Sequence, residues 1–272
     1  AFPQALAALL VQHGIKVEPR QLAAAEACNV WQWQWQGPLP VVLIDNIAQL
    51  LAPDQQQGLA DYVLYEGAQA PQIKLAVFDM DSTLIQAEVM DQLAYAAGIG
   101  EQVAAITARA MRGEIDFQES FKRRLGLLKG FECNDLQAIY DQIELMPGAV
   151  RLMRNLFKLG VHCVILSGGF SYFADRFAAR LGMQEAYSNP LEQQANRLTG
   201  GISVPILDAE RKLELLTAIS HRHGWQREQT LAVGDGANDL PMLAAAGLGV
   251  AFHAKPLVIA QAAHHVSHFG LD

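Results

Sequence analysis

Two carboxylates, Asp79 and Asp81, stand two positions apart at the end of the apolar run Leu75-Ala76-Val77-Phe78. Residues i and i+2 of an extended chain point the same way, so both side chains lean towards one ligand. Adjacent carboxylates repel, and keeping both ionised calls for a cation or a shared proton. Taken alone, the stretch also fits a plainer explanation, an acidic strand-to-helix loop in which Asp81 or Ser82 caps the helix. Two further apolar runs end in polar, glycine-rich stretches. Val161 to Leu166 leads into Ser167-Gly168-Gly169, and Thr230 to Val233 leads into Gly234-Asp235-Gly236-Ala237-Asn238-Asp239. Together the three ends offer several carboxylates, a hydroxyl, and glycines that let backbone amides approach a ligand. Oxygen donors at this density suit a hard cation such as Mg2+. Neither glycine stretch completes a nucleotide-binding motif. Gly234-x-Gly236 has Asp239 where the third glycine of the dinucleotide fingerprint should stand, and no P-loop lysine motif occurs. What remains is Mg2+-assisted chemistry on a phosphate without a nucleotide cradle.

The elements that hold these ends follow from the pattern around them. A short apolar run bounded by polar residues reads as a strand buried on both faces, and ligands of open α/β sheets gather beyond the carboxyl ends of such strands. Helices alternate with the strands: one from Ala149 to Gly160, one capped by Ser171 with Phe173, Phe177 and Leu181 in register, and one carrying Leu213, Leu216 and Ile219. A last helix follows Asp239, with Pro241 in its first turn, and Gly249 to Phe252 is a fourth strand candidate. This alternation predicts a doubly wound, mostly parallel α/β sheet. Between the first and second strands, about 86–146, apolar residues recur only at helical spacing (Val89, Leu93, Val103, Ile106, Met111, Phe117, Phe121, Leu125), which predicts a small helical bundle. Turn signals between Glu185 and Val204 predict a hairpin-like excursion.

Residues 1–72 read as a separate, small α+β domain, with the main domain at 73–272. A first helix ends at Gly14, and Val30 to Gln36 alternates with three tryptophans on one face. Val41 to Ile44 reads as another strand, Asp45 as the cap of the next helix, further helix follows Pro53-Asp54, and Gly67 to Pro71 is the linker. No catalytic constellation appears there, so its expected role is dimerisation, as a homodimer, or regulation. The 272 residues are 51% hydrophobic and 18% charged, enough for a substantial core, and the net charge of −8 without basic runs argues against nucleic acid or an anionic membrane as partner. No apolar run approaches the ~20 residues that span a bilayer, and Ala5 to Val11 reads as an amphipathic helix. Three dispersed cysteines, Cys28, Cys133 and Cys163, fit a reducing, cytoplasmic compartment. His264, His265 and His268 are expected to be solvated or in the core.

Asp79-Met80-Asp81-Ser82-Thr83, Ser167-Gly168-Gly169, Lys212 and the Gly234–Asp239 stretch resemble, in order, the four motifs of the haloacid dehalogenase-like phosphatases. Within that superfamily the pattern is closest to the phosphoserine phosphatase branch, on Asp-x-Asp-Ser-Thr followed by Glu88 and on Gly-Asp-Gly-x-Asn-Asp. The resemblance covers roughly residues 73–272 and implies a set of roles. Asp79 is the expected nucleophile, forming an aspartyl-phosphate, and Asp81 the general acid, then base. Mg2+ is expected on Asp79, the Asp81 backbone carbonyl and Asp235, with Asp239 orienting Lys212 or a water. Ser167, the Gly168 amide and Lys212 would bind the phosphoryl oxygens, with Asn238 assisting nearby. The helical insertion would be a cap whose Glu88 meets a substrate ammonium, Arg124 its carboxylate and Phe117 its apolar part. The implied substrate is O-phospho-L-serine, hydrolysed to L-serine and phosphate in the last step of serine biosynthesis. Another small phosphomonoester, such as phosphothreonine or homoserine phosphate, is the alternative within this chemistry, and a non-catalytic serine or phosphoserine sensor the alternative outside it. Without the resemblance, Lys212 beside Arg211, Arg124 beside Lys122 and Arg123, and Glu88 would pass for surface charges.

Overall fold

The computed structural model describes residues 2–15, 17, 20–24, 29–33, 41–57, 61, 72–202 and 205–272. The chain divides into two compact units, Ala1–Ala70 and Pro71–Asp272. In the first, helices α1 (Phe2–Gln12) and α2 (Val41–Gln56) accompany an antiparallel pair of strands, β1 (Arg20–Ala24) and β2 (Asn29–Gln32). Leu6 and Leu10 of α1 and Leu43, Ile47 and Leu51 of α2 make one buried cluster. The i, i+4, i+8 spacing of the last three is that of one helix face. It corrects the expectation of a strand at Val41–Ile44, because a four-residue apolar run has too little length for its period to be read. Asp45 consequently lies inside α2 and caps nothing, and the helix expected after Pro53-Asp54 is the end of α2 itself. The Trp31 and Trp33 rings lie on one side, with centroids 6.4 Å apart. Trp35, Cys28 and the linker at 67–71 fall outside the described residues.

The second unit opens with β3 (Leu75–Phe78), whose four side chains are all fully buried. Its alternate residues feed opposite cores. Ala76 and Phe78 join the larger cluster, with Phe121 and Phe170, while Leu75 and Val77 join a second with Leu216 and Met242. Each large apolar side chain so buried contributes about 1.5–3 kcal/mol. The chain then runs through four helices, α3 (Val89–Ala96), α4 (Gly100–Met111), α5 (Phe117–Leu127) and α6 (Leu136–Gln142), and returns by α7 (Ala149–Lys158) to β4 (His162–Phe170). The insertion has a narrow neck, where Gln86 N–H donates to Glu144 O at 2.9 Å and Met146 N–H to Leu84 O at 2.8 Å.

β4 continues through α8 (Ser171–Leu181) to β5 (Glu185–Asn189) and a short hairpin, β6 (Gln193–Gln194) with β7 (Arg197–Leu198). The region expected to be a hairpin excursion is thus half edge strand and half hairpin. The hairpin turn takes left-handed backbone at Ala195 and Asn196, φ 48° and 63°, and it props the insertion, since Gly130 N–H donates to Leu198 O and Cys133 N–H to Asn196 O. Helix α9 (Ala209–His223), β8 (Thr230–Gly234), α10 (Leu240–Ala245), β9 (Leu248–Phe252), α11 (Pro256–Gln261) and β10 (His264–Val266) complete the unit. All six strands of the main sheet are parallel, in the order β10-β9-β8-β3-β4-β5, the doubly wound α/β arrangement read from the sequence. The chain builds outwards from β3 to one edge and then restarts at β8, so the switch point lies at β3 and β8, where ligands of such sheets bind.

Three further expectations are corrected. β4 runs on through Ser167-Gly168-Gly169 to Phe170 rather than ending at Leu166. Ser171 is the first residue of α8 and makes no capping bond. His264 and His265, expected to be solvated or in the core, are half-buried in β10 against β9, which leaves that expectation standing. Met111, placed on the apolar face of the bundle, is 71% exposed. Cys133 and Cys163 are free thiols. Among the described residues, no helix is long and apolar enough to cross a membrane.

Candidate active site

The carboxyl ends of β3, β4 and β8 bring the motif residues together. Asp79 directly follows β3, and its backbone amide still pairs with Val233 O at 2.9 Å. By the strand's period of two its side chain leaves on the Leu75/Val77 face, where α9 packs. Its Oδ1 accepts from the Met80 amide at 2.7 Å, and its Oδ2 meets Lys212 Nζ at 2.9 Å. Lys212 lies in the first turn of α9, a helix capped by Asp208, whose side chain accepts from the Arg211 amide. The ammonium is completely buried and divides itself between Asp79 and Asp239 Oδ1, the latter at 2.7 Å.

Asp235 and Asp239 come from the turn after β8. Asp239 stands just before α10 but makes no capping bond to it; its Oδ2 instead accepts from the Gly236 amide at 2.9 Å. Both of its oxygens are therefore engaged. Gly234 must be glycine, because a Cβ there would overlap the Asp239 carboxylate. Asp235 is steadied by Thr83, a fully buried residue whose hydroxyl donates to Oδ1 at 3.2 Å. Carboxylate oxygens of Asp79, Asp235 and Asp239 all lie within 4.8 Å of one another. Three carboxylates against one ammonium leave an excess of negative charge, and this donor set suits a divalent cation with oxygen ligands.

The electrostatics follow from that crowding. Burial, then Asp239, raise the pKa of Asp79 well above the usual carboxylate range, with Lys212 opposing. Burial, Asp239 and Glu88 push Asp235 up to about 7. Burial works against the Lys212 ammonium, yet Asp239 and Asp79 outweigh it and its pKa is raised. Asp81 is raised too, by burial first and then by Glu88 and Asp79. Its Oδ1 is buried without a hydrogen-bond partner among the described residues, the mark of a group that is neutral or awaits a ligand.

Asp81 reaches the end of β4 at Gly169. A Cβ on Gly169 would stand 3.0 Å from both Asp81 Oδ2 and Ser167 Oγ, so glycine here is what lets the carboxylate and the hydroxyl converge. Ser167 Oγ also accepts from the Gly169 amide at 2.9 Å. The Gly168 carbonyl is held by Asn189 Nδ2 at 2.8 Å, and Asn189 Oδ1 takes the Leu207 amide.

The insertion covers this edge. The Phe117 ring tip would lie 3.5 Å from a Cβ on Gly168, and Gln118 Nε2 donates to Asp208 Oδ2 at 2.9 Å. Glu88, just before α3, accepts the Ser82 hydroxyl at 2.8 Å. Arg124 is half-buried. Its Nε donates to Ser120 O at 3.3 Å, and burial lowers its pKa while Asp91 and Glu88 hold the charge. The structure thus gathers Asp79, Asp239 and Lys212 in direct contact, with an Asp235 oxygen within 4.8 Å of the other two carboxylates and Asp81 with Ser167 beside them. Asn238 does not join the four; it folds over Gly236 in its own turn. Sequence reading gave no role of their own to Thr83, Asn189 and Asp208, and did not anticipate the left-handed backbone of Ser82, φ 55°. Only Asp208 carried a signal, that of a helix cap.

Residues 76–244 match the haloacid dehalogenase-like hydrolase family. A phosphoserine phosphatase of Archaeoglobus fulgidus is 48% identical over 185 residues, which are 68% of this chain and 54% of that protein. The chain spans about half to three-fifths of the length of the first curated relatives it matches. Among solved structures, a HAD family hydrolase from Salmonella enterica serovar Typhi superposes with a TM-score of 0.86 at 32% identity, over 99% of this chain and 91% of that one. A phospho-aspartyl intermediate analogue of phosphoserine phosphatase superposes with a TM-score of 0.67 at 35% identity, over 72% and 93%. With the motif residues assembled at the switch point of a parallel sheet, the chain belongs to the haloacid dehalogenase-like hydrolases.

Proposed function

We propose that the chain is a Mg2+-dependent cytoplasmic phosphatase that hydrolyses O-phospho-L-serine to L-serine and phosphate through Asp79. The observation that carries the reading is the pairing of two differently placed carboxylates, Asp79 on Lys212 and Asp81 with an unpartnered buried oxygen. The relatives' phosphoserine phosphatase activity and the phospho-aspartyl analogue support it.

An Asp79 carboxylate oxygen attacks phosphorus, the bond from phosphorus to the serine oxygen breaks, and Asp81 gives its proton to that oxygen. The raised pKa of Asp81 favours the protonated form that this step requires. Asp81 then takes a proton from water, whose oxygen attacks phosphorus and releases Asp79. Lys212 is placed to neutralise phosphoryl oxygens as charge spreads over them, with Ser167 and the Gly168 amide as further donors. Asp79, Asp235 and the Asp81 carbonyl would hold Mg2+, with Asp239 kept on Lys212 and the Gly236 amide. The cation would supply charge neutralisation between carboxylates and phosphate. Asn238 sits in the metal-side turn as an accessory group.

In the insertion, Arg124 is assigned to the substrate carboxylate, Glu88 to its ammonium and Phe117 to its apolar side. Phosphate release over a panel of monoesters, with Mg2+ and with EDTA, tests all of this. Turnover is expected for phosphoserine first, is lost in EDTA and is lost in Asp79→Asn. Wild-type turnover by that variant would end the mechanism. Equal rates for phosphothreonine or homoserine phosphate would end the substrate assignment.

A further inference from the structure

A second group of ligating side chains lies at the opposite edge of the sheet. His162 begins β4, whose other end carries Ser167, so five residues of strand, about 17 Å, separate it from the phosphate side. His162 Nε2 lies 2.7 Å from Glu185 Oε1 across the β4–β5 pair. His223, the last residue of α9, brings its ring to 5.2 Å from the His162 ring, centre to centre. We propose that His162, Glu185 and His223 form a second metal site, selective for a borderline-soft divalent cation such as Zn2+.

The donor atoms of the three residues lie within 4.8 Å of one another. A tetrahedral zinc shell with bonds of about 2.0–2.2 Å needs them closer than that, and His223, on an exposed helix end, can supply the movement. Two features already orient the ligands. The His223 ring stacks on Trp225 at 4.3 Å and 9°, and Glu185 Oε2 accepts from the Tyr187 hydroxyl at 2.5 Å. Such supporting contacts fix ligand rings and carboxylates in metal sites. The three residues give two neutral imidazoles and one carboxylate, leaving a fourth position open to a cavity of about 320 Å3 that His162, Gln184, His223 and Trp225 help to line.

Two contacts oppose binding. Arg222 Nη2 sits 2.5 Å from Glu185 Oε1, so its guanidinium must withdraw, which its 51% exposure allows. The ring proton shared by His162 Nε2 and Glu185 must move to Nδ1. Nitrogen donors distinguish this group from the oxygen-only set at Asp79, since imidazole favours zinc, copper or nickel while carboxylates favour Mg2+.

Calorimetric titration of ZnCl2 into the full chain in saturating Mg2+ tests the proposal, alongside Co2+ absorption spectra. One Zn2+ per chain is expected, together with the intense visible band of tetrahedral Co2+. His223→Gln should weaken both by at least tenfold, while His221→Gln, an exposed neighbour on the same helix, leaves them unchanged. No Zn2+ uptake, uptake unaltered by His223→Gln, or an equal loss in His221→Gln would each overturn it.

Discussion

Replacing Lys212 with Met keeps much of the side chain's length and removes the one ammonium that touches both Asp79 and Asp239. Each contact, at 2.9 and 2.7 Å, is worth on the order of 6 kcal/mol of gross attraction at an effective dielectric constant of ~20. The cost of burying the ammonium offsets most of that, and breaking such a pair from one side leaves a net loss of about 3–5 kcal/mol. For a unit of this size the melting temperature should fall by about 10–15 °C. The loss must also depend on pH. Without Lys212, which opposes the effect of burial, the Asp79 carboxyl has its folded-state pKa raised further above its unfolded one. A raised pKa contributes stability below the unfolded value and loses it as pH climbs through the folded one. The gap between wild type and Lys212→Met should therefore be widest at pH 8 and narrow towards pH 4. Urea unfolding at several pH values measures this directly, without added Mg2+ so that no cation replaces the ammonium. A gap that stays constant with pH would mean that the variant suffers from packing alone. The electrostatic account of the site would then be refuted.

Further outcomes follow from the same geometry. Gly169→Ala pushes a methyl to 3.0 Å from Asp81 Oδ2 and Ser167 Oγ, so kcat should drop about tenfold while the melting temperature barely moves; an unchanged kcat would separate Asp81 from proton transfer. Arg124→Ala should reduce kcat/KM for phosphoserine at least 100-fold, about 3 kcal/mol, yet leave phenyl phosphate turnover within a few-fold, and parallel losses would remove Arg124 from substrate recognition. Glu185, held down at about 2 by Arg222, Tyr187 and His162 against the effect of burial, contributes stability above its usual value of 4.5 that is lost as pH falls towards 2. Glu185→Gln should flatten thermal melts over that acid window, and an identical acid profile would dissociate the cluster from stability.

What the sequence made legible was the set of strand ends. Leu75–Phe78, Cys163–Leu166 and Ala232–Val233 are short apolar runs because both faces of the sheet are covered, and the polar residues that follow mark where each run leaves the core. The same logic misread Val41–Ile44, where four apolar residues begin a helix whose period becomes visible only with Ile47 and Leu51. It also missed β10, since His264 and His265 carry no apolar signal and the strand exists by pairing with β9. In the site, aspartates and glycines announced themselves by type and spacing. Thr83 and Asn189 did not, because their roles depend on partners 152 and 18 to 21 positions away. Lys212 is the clearest case of a residue defined by the fold, a helix-surface lysine by pattern and a wholly buried cation in fact.

The neck of the insertion has a consequence for how this protein can change. The chain leaves the sheet after β3 and comes back within hydrogen-bond reach of where it left, with Gln86 on Glu144 and Met146 on Leu84. The chain enters and leaves the insertion only at that closed junction, and its other ties to the core include the hydrogen bonds of Gly130 on Leu198, Cys133 on Asn196 and Gln118 on Asp208. A different insertion with the same two ends could be exchanged for it without altering the path of any strand. With Arg124, Glu88 and Phe117 in the proposed substrate roles, selectivity and bond-breaking would reside in separable segments of one chain, and each could diverge while the other is held fixed.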